Sequence, residues 1–349
     1  MSISPAPSSR DPSPASSTPL WMDWLGMSGA DPAGAPDEFG QIAELFRPLT
    51  GGEPGALGLL DDAAVLPVQA GSDIVVTQDA IVEGVHFPEG ESEEDVAARF
   101  LRVNLSDLAA KGAEPFAWLQ SIAWSKAWPL ERRRSFARAL AVEAREFGLV
   151  LLGGDTVSTP GPFMASGTFF GRCPPGGMIR RSGARPGDAL FVSGPIGDGW
   201  LGLKAVMGEI EDPSGALRHG FRRPQPRLDL RETLRDCATA AADVSDGLIA
   251  DSGHIARASG CGVCLDLERL PLSDPAQGWL GAQPDRLLAL TGLASGGDDY
   301  QIAFAAPPGQ QQRLEAAGCT RIGEFVDGPS EVRLSGVAYA PGPGGWRHE

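Results

Sequence analysis

Aspartates recur at the joints of this sequence: Asp61 and Asp62 in LLDDAAVLP, Asp79 in VVTQDAIVEGVHF, Asp107 in NLSDLAAKG, Asp155 in LLGGDTVS, Asp243 and Asp246 in ADVSDG, and Asp298 and Asp299 in SGGDDYQ. Nearly all fall where an apolar strand should end or a helix begin, often beside glycine, so that the side chain projects from a rigid element into a cleft. N-capping is the ordinary role of an aspartate at a helix start, and Asp107 and Asp246 are open to that reading. Capping does not account for Asp79 and Asp155 at expected strand ends. Nor does it account for two Asp-Asp pairs, whose adjacent charges repel unless something positive lies nearby. Hard oxygen ligands without Cys or His partners suit magnesium rather than zinc, and carboxylate-held magnesium mostly serves phosphates.

The remaining inventory is consistent with that chemistry. The chain has no GxxxxGK[ST] loop and no protein-kinase signature set, and its lysines are Lys111, Lys126 and Lys204. Phosphoryl transfer here would have to rely on metal charge, helped by arginines such as Arg180 and Arg181 or Arg222, Arg223 and Arg227. The Gly-rich turn SGPIGDGWLG could present backbone N–H groups to a phosphate at a helix start. A net charge of −16 and a pI near 4.7 exclude a nucleic-acid or anionic-membrane partner held by plain Coulomb attraction. Five scattered cysteines point to reduced thiols, and Cys261 and Cys264 in CGVC read as small residues of a strand.

The elements that must position these groups alternate between β and α, which predicts an α/β architecture. Residues 1–36 are mostly Pro, Ser, Ala and Gly, the composition of a disordered tail. They lack the basic start and apolar run of a secretory signal, and no apolar stretch approaches a bilayer span, so the expected location is cytoplasmic. Residues 37–172 form the expected first α/β domain. It holds the helical period of DEFGQIAELFRPL, strands at DIVVTQDAIVEGVHF and VLLGGDTVS, and two helices between them, the second ending at Gly148. Residues 173–188, rich in Gly, Pro and Arg, make the expected linker, and 189–349 a second α/β domain. Within AADVSDGLIADSGHIARA, read as a helix, Asp251 is expected to face solvent or make a local polar pair.

In this order, VNLSDLAAKGAEP, with DDAAVL, DAIVEGVHF, LLGGDT, RSGARPGD, DVSDGLIADSGHIA, SGGDDY and a C-terminal GWRH, resembles the thiamine-monophosphate kinase family over residues 37–349. That family belongs to the aminoimidazole ribonucleotide synthetase-like (PurM-like) superfamily. The resemblance implies a two-domain α/β fold and a homodimer joined through the N-terminal sheets as a barrel. It also implies transfer of phosphate from ATP to thiamine monophosphate across a magnesium cluster. Carried over by motif, Asp62, Thr77, Gln78, Asp79, Asp107, Asp155, Asp243 and Asp246 are the expected magnesium ligands. Gly154, Asp155, Arg181 and Ser245 are the expected ATP contacts. His86, Asp298 and Trp346 fall on the thiamine-monophosphate side, where an aromatic face and a carboxylate suit a flat cationic thiazolium. The family pattern differs here at Leu60, Gln78 and Asp298. Two alternatives stay open at this point: another ATP-using enzyme of the superfamily, and a noncatalytic nucleotide or magnesium sensor.

Overall fold

A computed structural model describes residues 38–60, 64, 66 and 68–335, so that the expected tail, Asp62 and Trp346 lie outside the described residues. The first half is a four-stranded sheet of order β1-β4-β2-β3, made of β1 (Asp73–Val82), β2 (Glu114–Ser125), β3 (Val150–Thr159) and β4 (Met164–Cys173). β4 runs antiparallel to both β1 and β2, and β2 is parallel to β3. After the short α1 (Glu38–Gln41), two long helices, α2 (Glu93–Ala110) and α3 (Leu130–Glu146), pack with the sheet around one apolar core. That core is aromatic-rich: Trp118 stacks on Phe169, and Trp128 on Phe163.

Local chemistry sets the ends of these helices. Ser92 caps α2 by accepting from the Asp95 N–H, and Glu93, Glu94 and Asp95 occupy its first turn, where the helix dipole favours anions. α3 stops where expected, at a left-handed Gly148 (φ +66°). Two expectations about strand ends are corrected. β1 continues through Asp79 to Val82 and β3 through Asp155 to Thr159, so both aspartates sit inside strands.

Between β4 and the next strand, residues 174–188 carry no helix or strand. The second half is a six-stranded sheet of order β10-β7-β9-β5-β8-β6. Its strands are β5 (Ala189–Val192), β6 (Ala240–Asp243), β7 (Gly262–Leu265), β8 (Ile302–Ala306), β9 (Thr320–Val326) and β10 (Val332–Leu334). It is mixed, with only the β10–β7 pairing parallel. Around it lie α4 (Asp198–Val206), α5 (Ala216–Arg222), α6 (Arg231–Cys237), α7 (Leu248–Ser259), α8 (Asp274–Gly281), α9 (Arg286–Ser295) and α10 (Gln311–Ala316). The sequence stretch at 241–258 therefore divides into the end of β6, a loop and α7. All five cysteines are free thiols, and Cys264 lies in β7.

α2 joins the halves. Fourteen of its eighteen residues are buried, including Arg99, Arg102, Asn104 and Ser106, so its polar groups need partners on every side. The helical period divides them between two faces. Arg99, Arg102 and Ser106 face the second half, bonding to Phe221 O, Gln225 Oε1 and Asp243 Oδ2 respectively. Asn104 and Asp107 face β1, where Asn104 Oδ1 accepts from the Asp79 N–H and Asp107 Oδ2 from the Thr77 hydroxyl.

Candidate active site

The cleft along α2 gathers carboxylates from four chain segments. Thr77 and Asp79 share one face of β1, Asp107 lies in the last turn of α2, Asp243 ends β6, and Asp246 follows in the loop before α7. Asp107 is thus not at a helix start, which removes capping as its role, and an anion in a last turn is unfavourable to the helix. Asp79 is open to solvent but deep in the cleft. Desolvation first, then the charges of Asp107 and Asp246, raise its pKa to about 6. Asp243 is pushed well above the usual carboxylate range by burial and then by Asp107 and Asp251, with the Ser106 hydrogen bond and the Lys111 charge opposing. Lys111 Nζ is held on the Ala241 carbonyl at 2.8 Å.

Asp251 makes the local polar contact that was one of its two expected roles, and it does not face solvent, which was the other. Its residue surface is only 1% exposed, it accepts from the Asp246 N–H at 3.2 Å, and burial followed by the Asp246 charge raises its pKa to about 7. Asp246, Asp251 and His254 bring ligand atoms within 4.8 Å of one another. Burial first, then Arg257 and Arg181, holds the His254 pKa below its usual value, which favours the neutral ring, with Asp246 opposing. Arg181, expected to meet ATP, therefore stands beside this group, and Ser245 lies between Asp243 and Asp246 in the same loop.

Carboxylates that raise one another's pKa, supplemented by a threonine hydroxyl, are a donor set that fits magnesium. Their titration has a measurable consequence. Folded-state values of about 6 for Asp79 and about 7 for Asp251 exceed the unfolded carboxylate value near 3.8. The folded chain then binds more protons between those limits, so these groups lower stability progressively as pH rises from about 4 to 7. A bound cation replaces the protons. Magnesium should raise the Tm by a few degrees at pH 8 and by clearly less at pH 5; equal increments at the two pH values would contradict a carboxylate-held ion.

Other expected site residues fall elsewhere. Gln78 points to the opposite face of β1 from Thr77 and Asp79, with Nε2 on Ser166 Oγ at 3.2 Å. Gly154 lies in the same row as Asp79, but that row runs Asp79, Gly167, Gln120, Gly154 across all four strands, about 14 Å at the usual strand spacing. Asp155, exposed on the far edge strand, pairs with Ser121 and through it with Ser166, placing it on the open sheet face. Gly154 is required there: at φ +154°, a Cβ would approach Gln120 O to 1.8 Å. Beside it is a hollow of about 640 Å³, walled by Phe46, Leu59, Leu119, Leu152 and Phe170.

The Gly-rich turn before α4 is already filled by the protein. Asp299 accepts from the N–H groups of Gly197 (2.8 and 2.9 Å) and Gly199 (2.9 Å), so the turn holds a buried carboxylate where a phosphate was considered. The neighbouring Asp298 turns the other way, to Arg99 at 2.6 Å. Backbone amides and a guanidinium, one for each aspartate, are what allow this Asp-Asp pair. His86, in the turn after β1, accepts from the Val82 N–H through Nδ1, which places the proton of the neutral ring on Nε2.

The chain matches two family models over most of this fold: AIR synthase related protein, N-terminal domain, at residues 60–173, and AIR synthase related protein, C-terminal domain, at 185–335. A thiamine-monophosphate kinase of Caulobacter vibrioides is 50% identical over 98% of this chain and 99% of its own length. The chain belongs to the thiamine-monophosphate kinase family. Among solved structures, the thiamine-monophosphate kinase of Stenotrophomonas maltophilia K279a superposes with a TM-score of 0.76 at 35% identity, covering 87% of this chain and 98% of that one. AaThiL complexed with AMPPCP and TMP gives a TM-score of 0.73 at 28% identity, over 81% and 89%. The two-domain PurM-like α/β fold is shared with these family members.

Within this family fold, the structure adds residues that motif reading passed over: Arg99, Asn104, Ser106 and Asp251, with His254 at the edge of the group. The signal for most of them was present. In RFLRVNLSDLAAKG, arginine, asparagine and serine recur at helical spacing in an apolar stretch, the pattern of a buried helix whose polar groups bond outward on two sides.

Proposed function

We propose that this protein transfers the γ-phosphoryl group of ATP directly to the phosphate of thiamine monophosphate, giving thiamine diphosphate and ADP. The observation that carries the proposal is the convergence of Asp79, Asp107, Asp243 and Asp246 in one cleft between the halves, on a fold shared with thiamine-monophosphate kinases. These carboxylates and Thr77 would hold magnesium. When bound, the ions neutralise the facing phosphates and stabilise the charge of the transferred group.

The chain's own residues hold and orient. Arg181 and Ser245 lie beside the carboxylates, suited to the phosphates of ATP, and the apolar hollow next to Gly154 suits its base. His86 and Asp298 form the thiamine side, to which Trp346 is assigned by motif. No general base is needed, because a phosphate monoester with a second pKa near ~6 is already largely dianionic at neutral pH. Two polyanions held in line react by positioning and charge stabilisation alone, without a covalent intermediate.

The distance between Asp79 and Asp155 supports a homodimer. Among the described residues, β1 and β3 are the edge strands of the first sheet. Closing two such sheets into a barrel would set β3 of one copy beside β1 of the other, bringing a second copy's Gly154, with Asp155 next to it, alongside the strand that carries this copy's Asp79. Among the described residues no helix is long and apolar enough to cross a membrane. The free thiols fit the reducing cytoplasm proposed as its location. Purified protein with ATP, magnesium and thiamine monophosphate should yield thiamine diphosphate and ADP; no product above an enzyme-free control would overturn the assignment.

A further inference from the structure

Arg99 is buried, 3% exposed, in the middle of α2, and its guanidinium is divided among three chain segments. Nε donates to the His86 carbonyl at 3.0 Å, Nη1 to the Phe221 carbonyl at 2.6 Å, and Nη2 to Asp298 Oδ1 at 2.6 Å. The group also stacks over the Phe221 ring, 4.3 Å from its centroid. One side chain thereby ties the turn after β1, the end of α5 and the loop before β8. Two of the three tied residues, His86 and Asp298, are those assigned above to the thiamine side.

The loop before β8 is not relaxed on its own. Asp298 and Tyr300 both take left-handed backbone conformations, φ +62° and +49°, which side-chain-bearing residues adopt at a cost. Such a conformation persists when its surroundings over-determine it. Here the Asp298 N–H donates to Ser245 O, the Tyr300 N–H to Val244 O, and the Asp298 carboxylate is anchored on Arg99. The Asp298 side chain is still 26% exposed against 4% for Arg99, so the carboxylate reaches the cleft while the group holding it does not.

We infer that Arg99 is a positioning residue for thiamine monophosphate: it fixes His86 from the first half and Asp298 from the second as one rigid wall of the substrate pocket. Stability alone is a poor reason for such a residue, because a buried ion pair can often be replaced by apolar side chains of similar size with little loss. A planar fork with five donors does what an apolar residue cannot, which is to set the direction of two carbonyls and a carboxylate at once. The inference rests on the thiamine-phosphate assignment, and the test separates the two.

Arg99→Met removes the buried charge at similar volume, and Arg99→Lys keeps the charge without the fork. Both should raise KM for thiamine monophosphate about tenfold or more while leaving KM for ATP within about twofold, the pattern of lost binding at one substrate only. Because Arg99 acts on His86 as well as on Asp298, the double variant Arg99→Lys/Asp298→Asn should raise that KM by clearly less than the product of the two single effects, the part routed through Asp298 being already lost. Additive effects in this cycle would overturn the inference. So would unchanged KM values in both single variants, or a parallel rise in both KM values with a lowered Tm, which is the signature of a brace for the fold. If the Arg99 variants fail to fold, Asp298→Asn must still shift KM for thiamine monophosphate alone, and a parallel shift for ATP would defeat the proposal. An inactive wild-type protein would instead defeat the functional assignment, and this inference with it.

Discussion

Asp107→Ala should reduce turnover about 10³-fold or more while leaving a folded protein with an unchanged or higher Tm in metal-free buffer. The two halves of this expectation have the same origin. Asp107 lies in the last turn of α2, where the exposed carbonyl ends of the helix disfavour an anion, and its charge raises the pKa of both Asp79 and Asp243. Removing it relieves repulsion in the folded state. Its favourable contacts are modest, chiefly the hydroxyl of Thr77. A residue that costs stability where it stands is understandable if the site needs it when a cation is bound, the usual trade between stability and function. Kinetics with thiamine monophosphate and thermal melts of the same preparation decide the matter; near-normal turnover would refute the metal role.

Asp79→Ala and Asp155→Ala should each be inactive alone, yet co-expression of the two should restore about a quarter of wild-type activity if each reaction centre draws on both copies of a dimer. Random pairing makes half of the dimers mixed. In a mixed dimer one centre carries both substitutions and the other carries neither. The prediction follows from the register across the first sheet, in which Asp79 and Gly154 occupy one row on opposite edge strands. Asp79 and Asp155 stand on opposite edge strands and face opposite sides of the sheet, so they cannot share an ion within one chain, and the test asks whether β3 of a second copy serves the reaction centre at Asp79. Differently tagged copies purified over both tags provide the measurement. No activity in the mixed dimer would mean that Asp79 and Asp155 serve the same copy or that Asp155 has another role.

Much of the site was legible in the sequence, because the chemistry requires particular residue types at short range. Thr77 and Asp79 two apart on a strand, Asp243 and Asp246 around a serine, and Ser-Asp inside a helical period are local patterns that survive folding unchanged. The strands around Asp79 and Asp155 and the helix that stops at Gly148 were legible for the same reason, since period and cap are written in neighbouring residues. Strands β2 and β4 were not, although their order decides where Asp155 sits.

What the sequence could not decide was partnership. A Gly-rich turn before a helix is suited to hold an anion, but only the fold could show that its N–H groups are already taken by Asp299. Asp107 reads as a cap when the helix is begun at Ser106, and loses that role once α2 is seen to start thirteen residues earlier, at Glu93. Asp251 reads as a surface residue or as half of a local polar pair, and only the burial of the start of α7 decides between them. Residue type and spacing set which chemistry is available; burial and long-range pairing set which groups are already engaged. The energies of charged groups depend on what lies within a few ångströms in space, and for Arg99 and Asp298 that neighbour is 199 residues away in the chain.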